Sequence, residues 1–341
     1  MAAPPVQPPS DIIWALDGLT MGTTWSARVI APPATDKAAV HAAIQAELDA
    51  VVAVFSPWEF NSEISRFNGA PAGVWGLSSE FWALLNAAMD IADDTNGAVD
   101  PTLGALVDLW GFGPPGPRSA EAPLPSDDEI EAALAVSGWQ SLRLNPLAQA
   151  AVQKGGMTLD FSGIAKGHAV DRICERLITL GCTSHLVEVG GELRGSGVKP
   201  DGEPWWVEIE QPPASPAPRT LMAMIDVAMA TSGDYRRVFS HEGRRYPHTL
   251  DGRTGRPVDN GLASVTVVHP SAMKADAYAT ALTVMGPREG LEFATAFGLA
   301  AHFVERAPGG PVEHMTPLFA AMLLDDDADA PEGDPKAATI Q

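Results

Sequence analysis

Apolar residues recur along this chain with two different spacings, and the switch between them predicts its elements. Over residues 35–55, Val40, Ile44, Leu48, Val51, Val52 and Phe55 fall on one face of a helix opened by a cap at Thr35. Residues 79–93 repeat the pattern with Phe81, Leu84, Leu85, Ala88 and Ile91, and the helix stops near Asn96 and Gly97. A Pro-, Gly- and Ala-rich surface loop at 114–125 leads to Ser126-Asp-Asp-Glu129, a capping box that opens a third helix. From Met157 the order becomes a short strand (157–161), a helix (163–180) and a strand (185–189) ending at Gly190-Gly191. Segments 205–210, 221–227 and 262–269 alternate or run apolar with β-branched residues, as strands do, and 212–218 joins two of them as a proline-rich, hairpin-like loop. A helix over 272–285 closes at Gly286, and another follows over 290–297. There is no repeat of 20–50 residues, which argues against a solenoid or a propeller.

Charge narrows the function. The 341 residues carry 43 Asp plus Glu against 22 Lys plus Arg, a net charge of -21, so a simple basic nucleic-acid binder is excluded. A content of 45% hydrophobic and 19% charged residues predicts a packed globular protein. We assign the main domain to 16–324, a Pro-rich tether to 1–15, and an acidic, disordered tail to 325–341. Cys174 and Cys182 have no partner at zinc-ligand spacing and read as buried, inert thiols. No stretch approaches the roughly 18 apolar residues of a membrane span. Residues 1–10 lack the basic start and apolar core of a signal peptide, so either the protein stays in the cytoplasm or an export signal has already been removed.

Common nucleotide signatures are missing: there is no Walker-type loop, and Gly195-Ser-Gly197 runs on to Pro200 where a Rossmann fingerprint needs Gly or Ala. A Gly-x-Ser-x-Gly elbow is absent too. Three other segments could carry chemistry. Asp160-Phe-Ser-Gly-Ile-Ala-Lys-Gly167 puts small residues and Lys166 at a helix mouth, where free N–H groups favour an anion; the alternative is a plain turn with a solvated lysine. Lys274-Ala-Asp-Ala-Tyr-Ala-Thr280 sets Asp276 and Thr280 on one helical face lined by alanines, a pair able to ligate a hard cation such as Mg²⁺ or simply an exposed helix side. Residues 244–257 hold His248 and Asp251 beside several arginines, which reads either as a general base near an anionic ligand or as a surface hairpin.

Their order along the chain is more specific than any one of them. Met21-Gly-Thr23 is followed by Ser56-Pro-Trp58, Ser62-Glu-Ile-Ser-Arg-Phe-Asn68, Asp100-Pro-Thr102 and Leu109-Trp-Gly-Phe-Gly113. Ala165-Lys-Gly167, Gly190-Gly191, Thr231-Ser-Gly-Asp-Tyr235, the 248–255 block and Ala275-Asp-Ala277 come next. Over roughly residues 20–320 this resembles the ApbE family of FAD:protein FMN transferases. The resemblance implies an α+β, T-fold-like architecture, an antiparallel sheet or barrel core flanked by helices. It implies an Mg²⁺-dependent enzyme that splits FAD at the diphosphate, attaches FMN to a Ser or Thr hydroxyl of a target flavoprotein, and releases AMP.

Carried over to this sequence, the resemblance implies a metal held by the Ala165 carbonyl, Asp276 and Thr280. FAD would meet Met21, Trp58, Val99, Asp100, Pro101, Ser162, Lys166, His168 and Leu250, with His248, Asp276 and Lys166 as the catalytic groups and His248 as the base. Trp58 reads as core without the resemblance and as a face for a flat ring with it. Three positions depart from the family pattern: Gly252 replaces a usual proline, Glu192 a commoner Asp, and His168 a frequent Tyr. An FAD pyrophosphatase of the same fold and a non-catalytic FAD carrier are the alternatives. The resemblance further implies a periplasmic protein, free or membrane-associated, whose target is a flavin-carrying subunit of a respiratory membrane complex.

Overall fold

A computed structural model describes residues 12–119, 122–212 and 220–323. The chain opens with β1 (Ile13–Thr20) and β2 (Thr23–Ile30), so regular structure starts three residues inside the segment assigned to a tether. Met21 (φ 48°) and Gly22 (φ 73°) both take left-handed backbone in the turn between them, the geometry whose twist suits a two-residue hairpin. Helix α1 (Lys37–Phe55) is capped by Asp36, which accepts the Ala38 N–H, instead of the expected Thr35. Contrary to expectation, α1 is long and apolar enough by composition to cross a membrane. Its stripe of Val40, Ile44, Leu48, Val51 and Phe55 is nevertheless buried in the protein core.

Next come α2 (Glu63–Asn68), β3 (Gly73–Gly76), α3 (Ser79–Asp94), α4 (Gly104–Leu109) and α5 (Asp127–Ala135), the last with both bonds of the capping box formed. Strands β4 (Arg143–Asn145) and β5 (Ala150–Gln153) form a small sheet with β3. The strand expected over 157–161 does not form. Its backbone groups go to other partners: Asn68 brackets Leu159 with two side-chain bonds, and Gly104 and Pro101 bond Thr158 and Asp160, leaving one bridge to Leu103.

Helix α6 (Ala165–Thr179) leads to β6 (Ser184–Val189) and β7 (Glu192–Ser196). Strands β8 (Trp205–Glu208) and β9 (Leu221–Met224) pair apart from the main sheet; of the loop expected between them, residues 213–218 lie outside the described residues. The single strand expected over 221–227 is broken by Asp226, whose φ of 52° cannot continue a ladder, and β10 (Val227–Gly233) starts anew. Short strands β11 (Val238–His241), β12 (Arg244–Pro247), β13 (Leu250–Asp251) and β14 (Arg256–Pro257) precede β15 (Leu262–His269). Helix α7 (Ala272–Ala296) has the expected break at Gly286 (φ 84°, ψ 179°), followed by Pro287. Strands β16 (Ala300–Ala307) and β17 (Gly310–Met315) and helix α8 (Pro317–Ala320) complete the fold, and the acidic tail lies outside the described residues.

Eight strands form one antiparallel sheet in the order β1-β2-β6-β7-β10-β15-β16-β17, the α+β arrangement expected. Helices α1, α3, α6 and α7 contribute to the main core, with Trp25, Phe81, Phe161 and Phe303 among its fully buried side chains. The β8–β9 hairpin and α8 enclose a second core around Trp205, Met224 and Phe319. A third, smaller core joins α4, α5 and β13 through Leu106, Trp110, Ile130 and Leu250. Cys174 and Cys182 are buried free thiols, and burial raises both pKa values.

Candidate active site

Helices α6 and α7 meet near their N-termini, and glycine permits the approach. A Cβ on Gly167 would stand 2.2 Å from the Ala272 carbonyl oxygen, and one on Gly163 would stand 2.9 Å from Thr280 Oγ1. The Gly167 N–H donates to Asp276 Oδ2 at 3.0 Å, which ties the first turn of α6 to the buried Asp276 carboxylate. The sequence-predicted Ala165, Lys166, Asp276 and Thr280 are therefore brought together at one crossing.

Lys166 extends from that crossing to Glu192 on β7, with Nζ 2.5 Å from Oε1. Burial opposes the charge on Lys166, but Glu192 and Asp276 outweigh it and hold the ammonium above its ordinary value. Both carboxyls are pushed up by burial against the pull of Lys166. Glu192 Oε2 is buried with no hydrogen-bond partner among the described residues. The Gly190-Gly191 turn closes this side: a Cβ on Gly190 would press Thr23 and the Lys166 stem, and one on Gly191 would strike the Arg236 guanidinium. Thr23, just past the β1–β2 turn that Met21 opens, thus shares this side with the Lys166 stem, while Arg236 itself is paired with Glu210.

His248 follows β12. Its Nδ1 lies 3.2 Å from the Arg237 carbonyl, so Nδ1–H is the donor and Nε2 keeps its lone pair. Burial, then the Arg237 charge, pull its pKa down to about 4; Lys166 and Arg236 act in the same direction, so the imidazole shares their electrostatic neighbourhood. Arg237 also lies over the half-exposed Trp58 ring at 5.9 Å and donates to the Phe112 carbonyl at 2.7 Å.

Trp58, Phe60, Asn68, Asp108 and Asp160 help to line a cavity of about 380 Å³. Burial and the Asp160 charge push Asp108 up to about 6. Asp100 is committed to structure: Oδ1 accepts from Thr102 N–H and Oγ–H at 2.8 and 2.6 Å, and Oδ2 accepts from Trp139 N–H at 3.1 Å. Its neighbour Val99 packs against the main core, and the Pro101 carbonyl accepts from Asp160 N–H. Ser162 is exposed and donates its N–H to Asp160 Oδ1. Leu250 is buried in the third core. His168 packs edge-on to Phe55 and lies 3.3 Å from Glu80, so it faces α1 and α3 and not the Lys166–Asp276 pair. At Gly252 the backbone is not left-handed, and the Asp251 carboxylate secures the turn through Arg253 instead of a proline ring.

Sequence reasoning missed Asp171, Arg194 and Arg236, which hold these elements in place. Asp171 had a readable signal, a carboxylate between buried Val170 and Ile173 on an otherwise apolar helical face.

A model of the ApbE family matches residues 21–303. The FAD:protein FMN transferase of Escherichia coli (strain K12) is 33% identical over 319 residues, covering 92% of this chain and 90% of that protein. The enzyme of the same name from Vibrio cholerae is 36% identical over 315 residues, with 90% and 92% covered. Among solved structures, Pseudomonas stutzeri flavinyl transferase ApbE in its apo form superposes with a TM-score of 0.84 at 37% identity, over 92% of this chain and 97% of that one. The apbe protein from Thermotoga maritima gives 0.82 at 30% identity, over 92% and 100%. The chain belongs to the ApbE family, and it is an enzyme. Flavin transfer is the activity named for the Escherichia coli, Vibrio cholerae and Pseudomonas stutzeri relatives.

Proposed function

We propose that the protein is an Mg²⁺-dependent FAD:protein FMN transferase. The observation that carries the reading is the common neighbourhood of His248, Lys166 and Asp276: a base with a free Nε2 near a buried, charged helix crossing. Among the described residues no three His, Cys, Asp or Glu side chains gather as a metal cluster. The donor set is one carboxylate, one hydroxyl and one carbonyl, oxygen ligands that suit Mg²⁺, which takes its remaining ligands from water and phosphate. Asp276 and Glu192 share the Lys166 ammonium, with Arg236 acting on Glu192 besides, and burial still holds both carboxyls above their ordinary range, a setting that a bound cation would relieve. Ala165, Asp276 and Thr280 would hold the ion, which supplies charge neutralisation at the diphosphate when bound.

The chain's own residues supply the rest. Trp58 and the cavity beside it take a flat ring of FAD, and Lys166 with the α6 N-terminus faces the phosphates. The acceptor oxygen forms a bond to the FMN phosphorus while the bond from that phosphorus to the bridging oxygen breaks. AMP leaves with the bridging oxygen and the electron pair. The hydroxyl proton passes to His248 Nε2, whose orientation the Arg237 carbonyl fixes through Nδ1. The acceptor is a Ser or Thr hydroxyl of a flavoprotein. A flavin-carrying subunit of a respiratory membrane complex, met on the periplasmic side, completes the proposal.

The test is incubation with FAD and Mg²⁺, with and without a fragment bearing a Ser/Thr acceptor, read by intact mass and AMP release. One FMN gained by the fragment, and lost with its acceptor hydroxyl, is the expected result. AMP without adduct would turn the reading to a pyrophosphatase, and stoichiometric FAD binding without AMP to a carrier. Asp276→Ala should abolish transfer; a variant as fast as wild type would remove Asp276 from the metal set.

A further inference from the structure

We propose that Asp171 is the positioning residue of the metal site: it fixes the first turn of α7 against α6 and so holds Asp276 and Thr280 in register with the Ala165 carbonyl. The inference rests on the Mg²⁺ reading and deepens it. Asp171 lies five residues beyond Lys166 among Val170, Ile173, Cys174 and Leu177, all buried. A carboxylate in such surroundings must find partners, because losing water without replacement is costly. Its Oδ2 accepts from Ser271 Oγ at 2.7 Å and Met273 N–H at 3.0 Å; its Oδ1 accepts from Ala272 N–H at 3.0 Å and Arg194 Nη1 at 2.5 Å.

Three of these donors belong to the start of α7, where Ser271 is the N-cap and the helix leaves its own N–H groups free. Asp171 fills them and lies at the positive end of the helix dipole. The fourth donor, Arg194, stands on β7 two residues past Glu192, which holds Lys166. One side chain thus links the three elements that bear the charged cluster. Asp276 follows Ser271 by about one and a half helical turns, so displacement of the first turn reaches it with little attenuation. The Gly167 contact is the second pin, and together with Asp171 it opposes sliding or rotation of α7 against α6.

The test titrates the full chain with Mn²⁺, read by loss of the free-ion paramagnetic signal, and with Mg²⁺, read by calorimetry, in wild type, Asp171→Asn and Asp171→Ala. FAD affinity without metal, read by flavin fluorescence, is measured beside it. Removing a partner that orients a ligand weakens metal binding by about 10–100-fold. Asp171→Ala should fall in that range and Asp171→Asn less far, with metal-free FAD affinity within twofold of wild type. Should Asp171→Ala not fold, Asp171→Asn decides, since it keeps the volume and one acceptor. Unchanged metal affinity in Asp171→Asn and Asp171→Ala overturns the proposal alone, as does an equal fall in metal and FAD binding, which would mark a purely structural role. A wild-type chain that binds neither ion overturns the Mg²⁺ reading and the proposal with it.

Discussion

Gly167→Ala tests the helix crossing with a single methyl group. The added carbon would stand 2.2 Å from the Ala272 carbonyl oxygen, 2.6 Å from its carbon and 2.8 Å from the Met273 α-carbon. All three are backbone atoms, so no rotamer change relieves the contact. Restoring an ordinary separation of about 3.5 Å requires α6 and α7 to part by about 1 Å. Overpacking of this kind costs about 1–3 kcal/mol, and the upper end applies where rigid helices meet. Alanine is better than glycine in a helix by up to about 1 kcal/mol, which offsets part of the loss. The net expectation is a loss of about 2 kcal/mol, or a melting temperature lower by roughly 4 °C in a chain of this size. The same separation stretches the 3.0 Å bond from Gly167 N–H to Asp276, so transfer activity should fall by about tenfold or more, as for a displaced reacting group. Urea unfolding and a thermal melt give the stability, with Gly309→Ala as control, because a Cβ there meets nothing within 4 Å. A Gly167→Ala protein as stable as wild type would refute the claim that this crossing is closed by backbone contact.

Trp58→Ala should weaken FAD binding by about tenfold through loss of the stacking face, yet leave the melting temperature nearly unchanged, because the ring is 50% exposed; equal FAD affinity in a fluorescence titration would move the flat ring elsewhere. Arg237→Ala removes a charge that depresses His248, so the acid limb of the transfer rate, where the base becomes protonated, should move to higher pH; an unmoved limb would count against His248 as the base. His185 is buried with Nε2 unpartnered among the described residues, and burial pulls its pKa from 6.5 down to about 4. Its contribution is therefore complete above pH 6.5 and lost as pH falls to 4, on the order of 3 kcal/mol, so His185→Phe should flatten that limb in urea titrations at stepped pH, and an unchanged slope would disprove it.

Where one signal fixed an element, the sequence was readable. The β-branched run Leu262–His269 is a strand with the expected ends, because seven of its eight residues are buried and no alternative face competes. Gly286-Pro287 breaks α7 as the sequence predicts, since neither residue continues a helix easily. The failures have physical causes that lie far along the chain. Leu159 looks like strand but is held by Asn68, 91 residues earlier, and Asp226 interrupts an apolar run through a left-handed turn that no local pattern announces. At the site, spacing brought Asp276 and Thr280 to one face. It could not show that Glu192 would reach Lys166, or that Asp171 would cap a helix 100 residues downstream.

The two halves of the proposed chemistry rest on different cores. Ala165 and the residues around Asp276 belong to the main core, through Ile164, Ala275 and Ala277. His248 belongs to the third core's neighbourhood: Phe112 meets its ring edge-on at 6.3 Å, and Trp110, bonded to the Gly255 carbonyl at 2.8 Å, stacks on Tyr246 of the strand that leads to it. Thr158 and Asp160 tie the two regions through Gly104 and Pro101, and Arg237 spans them over Trp58. In the free protein burial first, and then Arg237 and Lys166, keep His248 a weak base. A diphosphate set among those cations would cancel their charge and raise the affinity of Nε2 for a proton. On the proposed mechanism, part of the base strength would then be acquired with the substrate, and the proton would be taken when a phosphate is in place to receive the acceptor oxygen.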